Sequence, residues 1–253
     1  MTPSPKSLIL ALGLTLGALN PATAFDIDAM SETERAAFRA EIRAYLLDNP
    51  EVLMEAFDIL DERQAAAEAQ AESQIIAANS DAIFASPYDY VGGNPEGDVT
   101  LVEFLDYRCG YCKRAFPDIE AMLEADGNIR FIVKEFPILG DASLLASRYA
   151  IAAKIALGDE AYRALHDAMM VMRAEVSEGS LQATAEGLGL DHAAIVAEIN
   201  NPQIDATISL NYELARALNI SGTPTFVLET GLLRGALPRD QIEAAIATER
   251  NAN

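Results

Sequence analysis

Val99-Thr100-Leu101-Val102-Glu103-Phe104-Leu105-Asp106-Tyr107-Arg108-Cys109-Gly110-Tyr111-Cys112 is the stretch from which the architecture can be read. Its first seven residues are β-branched or apolar with a single acid inside, the composition of a buried strand. Two cysteines follow, three residues apart. From Lys113 to Glu124 the pattern is helical, with a kink predicted at Pro117. Asn128 to Phe136 supplies a second strand around the apolar run Ile129-Arg130-Phe131-Ile132-Val133. The cysteines therefore stand where a strand turns into a helix, within a β-α-β unit.

That position has chemical consequences. A helix N-terminus presents unpaired N–H groups and the positive end of the helix dipole. Both favour a thiolate at Cys109 and predict that it is exposed for attack. Cys112, one turn further in, can close a disulfide with Cys109 or resolve a mixed disulfide. A C-x-x-C pair also forms half of a zinc site. The chain has two Cys and two His in all, and His166 and His192 fall in separate helical segments, which argues against zinc. A purely structural disulfide here would close so short a loop that it would remove little chain entropy. Glu103, inside the strand, is expected to be desolvated, with a raised pKa, and able to accept a proton from Cys112. The alternative is an edge-strand acid facing water. Lys134 on the neighbouring strand is a candidate partner for it. Asp106 and Arg108 are expected at the surface, and Tyr111 is placed to touch substrate.

Outside this centre the chain divides readily. Residues 1–24 read as a secretory signal peptide, with Lys6 ahead of the short apolar run Leu8–Leu19 and an A-x-A site at Ala22-Thr23-Ala24. Cleavage near Ala24 would deliver both cysteines to an oxidising compartment. Ser31-x-x-Glu34 is a capping box, and Phe38, Ile42, Tyr45 and Leu46 recur at helical spacing. Asn49-Pro50 marks a restart, with Asn49 as N-cap and Pro50 at the first helical position. The next helix runs to about Ala78, roughly 40 Å at 1.5 Å per residue. Its stripe Leu53, Phe57, Leu60, continued weakly by Gln64, Ala67, Ala71 and Gln74, is a heptad. So narrow a stripe on so long a helix predicts self-association through residues 31–78, as a dimer or a trimer. Residues 79–98 carry turn signals at Ser86-Pro87 and Gly92-Gly93-Asn94-Pro95. They mark the boundary between a helical region, 25–80, and a domain, 81–253.

The remainder of the domain is a helical insert, about 140–219, and a short C-terminal β-β-α run. Tyr162, Leu165, Met169 and Met172, then Ile204, Ile208, Tyr212, Ala215 and Leu218, keep helical spacing. The Met169-Met170 pair reads as core. A copper-binding Met box lacks supporting histidines. Thr225–Leu228 and Leu232–Arg234 are short strands, and Pro238–Arg250 closes the fold with Ile242 and Ile246 inward. At 253 residues and 51% hydrophobic the chain has ample material for a core. Its 18 Lys+Arg against 39 Asp+Glu, a net charge of -21, argue against nucleic acid and anionic membranes as partners.

Phe104 to Arg114 resembles the active-site run of the DsbA-like branch of the thioredoxin superfamily. Ser221-Gly222-Thr223-Pro224-Thr225-Phe226 resembles that family's cis-proline loop. The N-terminal helices are similar to those of the oligomeric, ScsC-type periplasmic members. The resemblance implies an α/β, thioredoxin-like fold with a helical insertion, preceded by an extended helical N-terminal region. It implies Cys109 as nucleophile and Cys112 as resolving thiol. It also implies a cis bond before Pro224, with the backbone of Thr223 pairing with extended substrate, and a buried acid at Glu103.

The function so implied is that of a periplasmic thiol–disulfide oxidoreductase acting on exported proteins, without a cofactor, reset by a membrane redox partner. A self-associating stalk, Thr223 before the proline and a Gly-Tyr dipeptide without histidine favour isomerase or reductase. A dithiol oxidase is the alternative, and a Cu(I)-binding copper-tolerance protein, with Cys109 and Cys112 as soft thiolate ligands, is another.

Overall fold

The computed structural model describes residues 27–252. The expected signal peptide, residues 1–24, lies outside the described residues. The described residues divide into two compact units, one ending at Asp61 and the other beginning at Glu62.

In the first unit, helix α1 (Glu32–Asp48) opens on the expected capping box. The Ser31 hydroxyl accepts from the Glu34 N–H, and the Glu34 carboxylate accepts from the Ser31 N–H at 2.9 Å. Helix α2 (Glu51–Ala78) follows. Asn49 does not cap it as expected. Its backbone N–H and its side-chain amide instead both donate to the Tyr45 carbonyl at 2.8 Å and so close α1. Phe38, Ile42, Tyr45, Leu53, Phe57 and Leu60 are 40% to 60% exposed, and α1 buries no residue. This helical segment carries an apolar stripe that its own unit leaves open to solvent.

The second unit starts within α2. It continues through α3 (Ser80–Phe84), β1 (Tyr90–Gly93), β2 (Val99–Leu105), α4 (Gly110–Asp126) and β3 (Ile129–Glu135). Helices α5 (Asp141–Leu157), α6 (Asp159–Val171), α7 (Glu178–Gly187), α8 (His192–Glu198) and α9 (Pro202–Ala217) form the insert. Strands β4 (Thr225–Leu228) and β5 (Gly231–Arg234) and helix α10 (Arg239–Ala252) complete it. The sheet order is β1-β3-β2-β4-β5, with β2 and β3 parallel and the other pairs antiparallel. This is the thioredoxin-type sheet with a helical insertion that the resemblance implied.

Strand β1 falls in the segment read from sequence as turns. Its two glycines hide a strand that exists by pairing with β3. At Gly93 the backbone has φ +64, and an added Cβ would lie 2.3 Å from the Ile129 carbonyl oxygen, so only glycine lets the two strands approach.

Period-2 alternation sorts β2 and β3 between two cores. Leu101, Leu105, Phe131 and Val133 pack with α4, the insert helices and α10. Val102, Phe104 and Ile132 pack on the other face with Ile76, Ile83 and Leu214 from α2, α3 and α9. Ile76 is 2% exposed. Burying such a side chain is worth roughly 1.5–3 kcal/mol, so the last turns of α2 are part of the domain. Glu72 binds there as well. Its carboxylate accepts from the Leu232 N–H at 2.8 Å and pairs with Arg234 at 2.9 Å.

Candidate active site

Cys109 is the N-cap of α4, in an extended conformation at φ -71 and ψ 114. Its N–H donates to the Asp106 carbonyl at 3.0 Å, and its carbonyl accepts from the Lys113 N–H at 3.1 Å. The strand thus turns directly into the helix, and Cys112 falls in the first turn. Both cysteines are free thiols. Cys112 is fully buried, and only 7% of Cys109 reaches solvent. The expectation of an exposed Cys109 is therefore corrected: the loop before β4 covers it.

That loop contains the expected cis bond between Thr223 and Pro224. The Thr225 hydroxyl donates to the Gly222 carbonyl at 2.8 Å and shapes the turn. The Thr223 carbonyl faces the cysteines and accepts from Cys109 Sγ at 3.1 Å. The structure therefore brings Cys109, Cys112, Thr223 and Pro224 together from points more than a hundred residues apart.

Glu103 lies under this cluster. It sits on the central strand, flanked by Val133 on β3 and Phe226 on β4, and is 4% exposed. Desolvation, then the charges of Cys109 and Glu120, pushes its carboxyl up to about 8. The Cys112 thiol is raised by burial and then by the charge of Glu103, with Asp106 backbone and the Thr223 side chain opposing. A carboxyl of this kind is mostly protonated at neutral pH, and its ionised fraction can accept a proton from a neighbouring thiol.

Lys134 does not pair with Glu103. In the β2–β3 register Glu103 faces Val133 and Phe104 faces Lys134, so the two side chains leave opposite faces of the sheet. Lys134 is ion-paired with Asp89 and donates to the Ala82 carbonyl at 2.5 Å. Burial outweighs their mutual attraction at both groups, lowering the Lys134 pKa and raising that of Asp89. Asp106, expected at the surface, is fully buried. Its carboxylate accepts from the Arg108 N–H at 2.7 Å and from the Leu139 N–H at 3.0 Å, which ties the loop before Cys109 to the loop after β3. Arg108 is exposed as expected, and its Nη1 donates to the Leu139 carbonyl at 2.6 Å. Tyr111 is 59% exposed, with the Arg114 guanidinium 4.2 Å above its ring.

A buried polar cluster behind the site was not anticipated. Glu135 Oε1 accepts from the Tyr107 and Tyr162 hydroxyls at 2.8 and 2.6 Å, and Oε2 from the Ser147 hydroxyl at 2.7 Å. Burial pushes Glu135 up to about 7, with those hydroxyls acting against it. His166 Nδ1 lies 3.2 Å from the Tyr107 hydroxyl, and burial brings its pKa down to about 3. The available signal was Lys134-Glu135 closing a strand whose middle, Phe131 to Val133, is apolar. A pair of charges at a strand end ordinarily reads as solvent-facing. Among the described residues, no group of three or more His, Cys, Asp or Glu side chains could hold a metal ion.

With this geometry established, comparisons with known proteins agree on the fold. A family model described as DSBA-like thioredoxin domain matches residues 100–247. A second, described as Copper resistance protein ScsC N-terminal domain, matches residues 34–67. A thioredoxin-like oxidoreductase from Silicibacter pomeroyi is similar at 38% identity and TM-score 0.66, over 69% of this chain and 99% of that one. The thiol-disulfide exchange protein alpha-DsbA2 from Wolbachia pipientis is similar at 30% identity and TM-score 0.68, over 72% and 97%. Proteus mirabilis ScsC in a transitional conformation is similar at 28% identity and TM-score 0.65, over 90% and 100%. Among curated proteins, a Na(+)/H(+) antiporter NhaA 1 from Salinispora arenicola is 29% identical over 63% of this chain, and the chain spans about a quarter (24%) of that relative's length. Among the described residues, no helix is long and apolar enough to cross a membrane.

Proposed function

We propose, since the chain belongs to the DSBA-like thioredoxin domain family, that it is a thiol–disulfide oxidoreductase acting on exported proteins in the periplasm. The observation that carries this reading is Cys109 Sγ at the start of α4, 3.1 Å from the Thr223 carbonyl beside the cis Pro224. In this reading the Cys109 thiolate attacks one sulfur of a client disulfide. The client S–S bond breaks, a mixed disulfide forms, and the departing client sulfur takes up a proton. Cys112 Sγ, giving its proton to Glu103, then attacks Cys109 Sγ. A disulfide remains on the protein and a dithiol on the client. When a second client thiolate attacks instead, the client is rearranged without net oxidation.

The favoured direction is isomerase or reductase. What supports it is the uncovered apolar stripe of α1 and α2, which we assign to self-association through residues 31–78 as a dimer or trimer. An assembly presents several thiol pairs to one misfolded client. The deciding assay is recovery of activity from scrambled ribonuclease. It should be present in the parent and lost in Cys109→Ala. Rapid oxidation of a reduced peptide without ribonuclease recovery would assign the chain as a dithiol oxidase. A second reading, Cu(I) capture by Cys109 and Cys112, draws on the copper-resistance description of the N-terminal match and on the softness of paired thiolates. It requires tight Cu(I) uptake that Cys109→Ser abolishes.

A further inference from the structure

The chain is strongly acidic, yet the charge inverts around the cysteines. From Tyr107 to Arg114 there are three cations, Arg108, Lys113 and Arg114, and no acid. Each cation is held in place. Arg108 is tied by Nη1 to the Leu139 carbonyl at 2.6 Å, Lys113 Nζ donates to the Met172 carbonyl at 2.7 Å, and Arg114 lies over Tyr111. Arg173, next along the chain from Met172, is exposed. The acids of the centre lie beneath this rim: Glu103 and Asp106 are buried, and Asp106 is spent on two backbone N–H groups. Asp118, one helical turn beyond Arg114, is the next exposed acid along α4.

We infer that Arg108, Lys113, Arg114 and Arg173 form a cationic rim, centred on the exposed Tyr111, that selects client segments carrying acidic residues beside the reacting cysteine. The inference rests on the oxidoreductase reading and names its substrate class. Arg108 and Lys113 each use one donor on a carbonyl and keep others for a carboxylate. Anchored side chains lose less rotamer freedom on binding than free ones. Rim charges act mainly on encounter and partner choice, and salt screens them. The body of the protein repels acidic clients at long range, so the rim is the surface where such a segment gains by docking. A basic client segment is attracted by the body but meets like charge at the thiol.

The test is thiol–disulfide exchange between the full chain, reduced, and three disulfide peptides of one length, their cysteines flanked by aspartates, lysines or serines. At low ionic strength the aspartate peptide should react roughly tenfold faster than the lysine peptide, and the ratio should approach one at about 0.5 M salt. In Arg108→Gln/Arg114→Gln the ratio should fall to about threefold or less, whereas Arg108→Lys/Arg114→Lys should keep it. Arg239→Gln, which removes one charge from an exposed i,i+4 pair on α10, should leave the ratio as in the parent. A parent ratio near one, or a ratio that survives the double glutamine variant, overturns the rim while exchange with the serine peptide upholds the oxidoreductase reading. No exchange with any of the three overturns that reading, and the rim with it.

Discussion

The Tyr107 hydroxyl donates to Glu135 Oε1 across 2.8 Å, joining the loop that carries Cys109 to the C-terminal end of β3. Both groups are buried, and the carboxylate also serves Tyr162 and Ser147. Removing it strands three hydroxyls at once. Glu135→Ala is expected to cost about 3–5 kcal/mol in urea unfolding, and Tyr107→Phe about 1–2 kcal/mol. Equal losses in the two variants would show that Glu135 is no hub.

Glu103 makes stability depend on pH. Its folded pKa, about 8, is above its ordinary value of 4.5, so the folded state holds this proton more tightly than the unfolded chain. The stability it contributes is full below about pH 4.5 and is lost as pH rises through about 8. Glu103→Gln cannot lose it. The variant should therefore gain on the parent by a few kcal/mol between pH 5 and pH 9, read as the difference in urea midpoints. A constant difference across that range would contradict the burial-driven shift.

The two cysteines should separate by trapping. Cys112→Ser leaves Cys109 to attack but nothing to resolve the product, so client adducts should accumulate and appear by mass under non-reducing conditions. Cys109→Ser should give none. Adducts in both variants would remove the assignment of nucleophile and resolving thiol.

The buried pair Lys134–Asp89 offers a sharper energetic test. Lys134→Met leaves a carboxylate buried without its cation and should cost about 3–5 kcal/mol. Lys134→Met/Asp89→Leu should recover most of the loss, because the pair is desolvated more than it attracts. Activity should follow stability here, since Lys134 faces away from Glu103.

Truncation must respect where the compact units divide. Removing residues through 78 would take Ile76 out of the core formed with Val102, Phe104 and Leu214, at roughly 1.5–3 kcal/mol. A chain starting at Glu62 keeps it. If the stripe of Leu53, Phe57 and Leu60 drives assembly, this shorter chain should be monomeric by sedimentation and weaker on scrambled ribonuclease. Unchanged mass would dismiss the stripe as an interface.

The run from Val99 to Cys112 was legible because composition, turn and helix start agree there, and because buried strands of β-branched residues have few rivals. Strand β1 was not, since Gly92 and Gly93 carry the marks of a turn, and the close approach of β3 that requires glycine at 93 is not visible in sequence. The burial of Asp106 could not be read because its partners, the N–H groups of Arg108 and Leu139, include one 33 residues away. The partner of Lys134 was misjudged for a simpler reason: adjacent strands suggest contact, but the pleat decides which neighbour shares a face. Glu135 looked like an ordinary strand-end charge, and its partners Tyr107, Ser147 and Tyr162 come from the loop after β2, from α5 and from α6.

Strand β5 ends the sheet, and an outermost strand with free N–H groups is a template on which another chain can add. The Leu232 N–H, which would offer such a start, is already claimed by Glu72, and Arg234 beside it is held by the same carboxylate. The last turns of α2 therefore act as a guard rail for the sheet. Loss of Glu72 would show first as clumping of concentrated protein on storage, before any change in thiol chemistry.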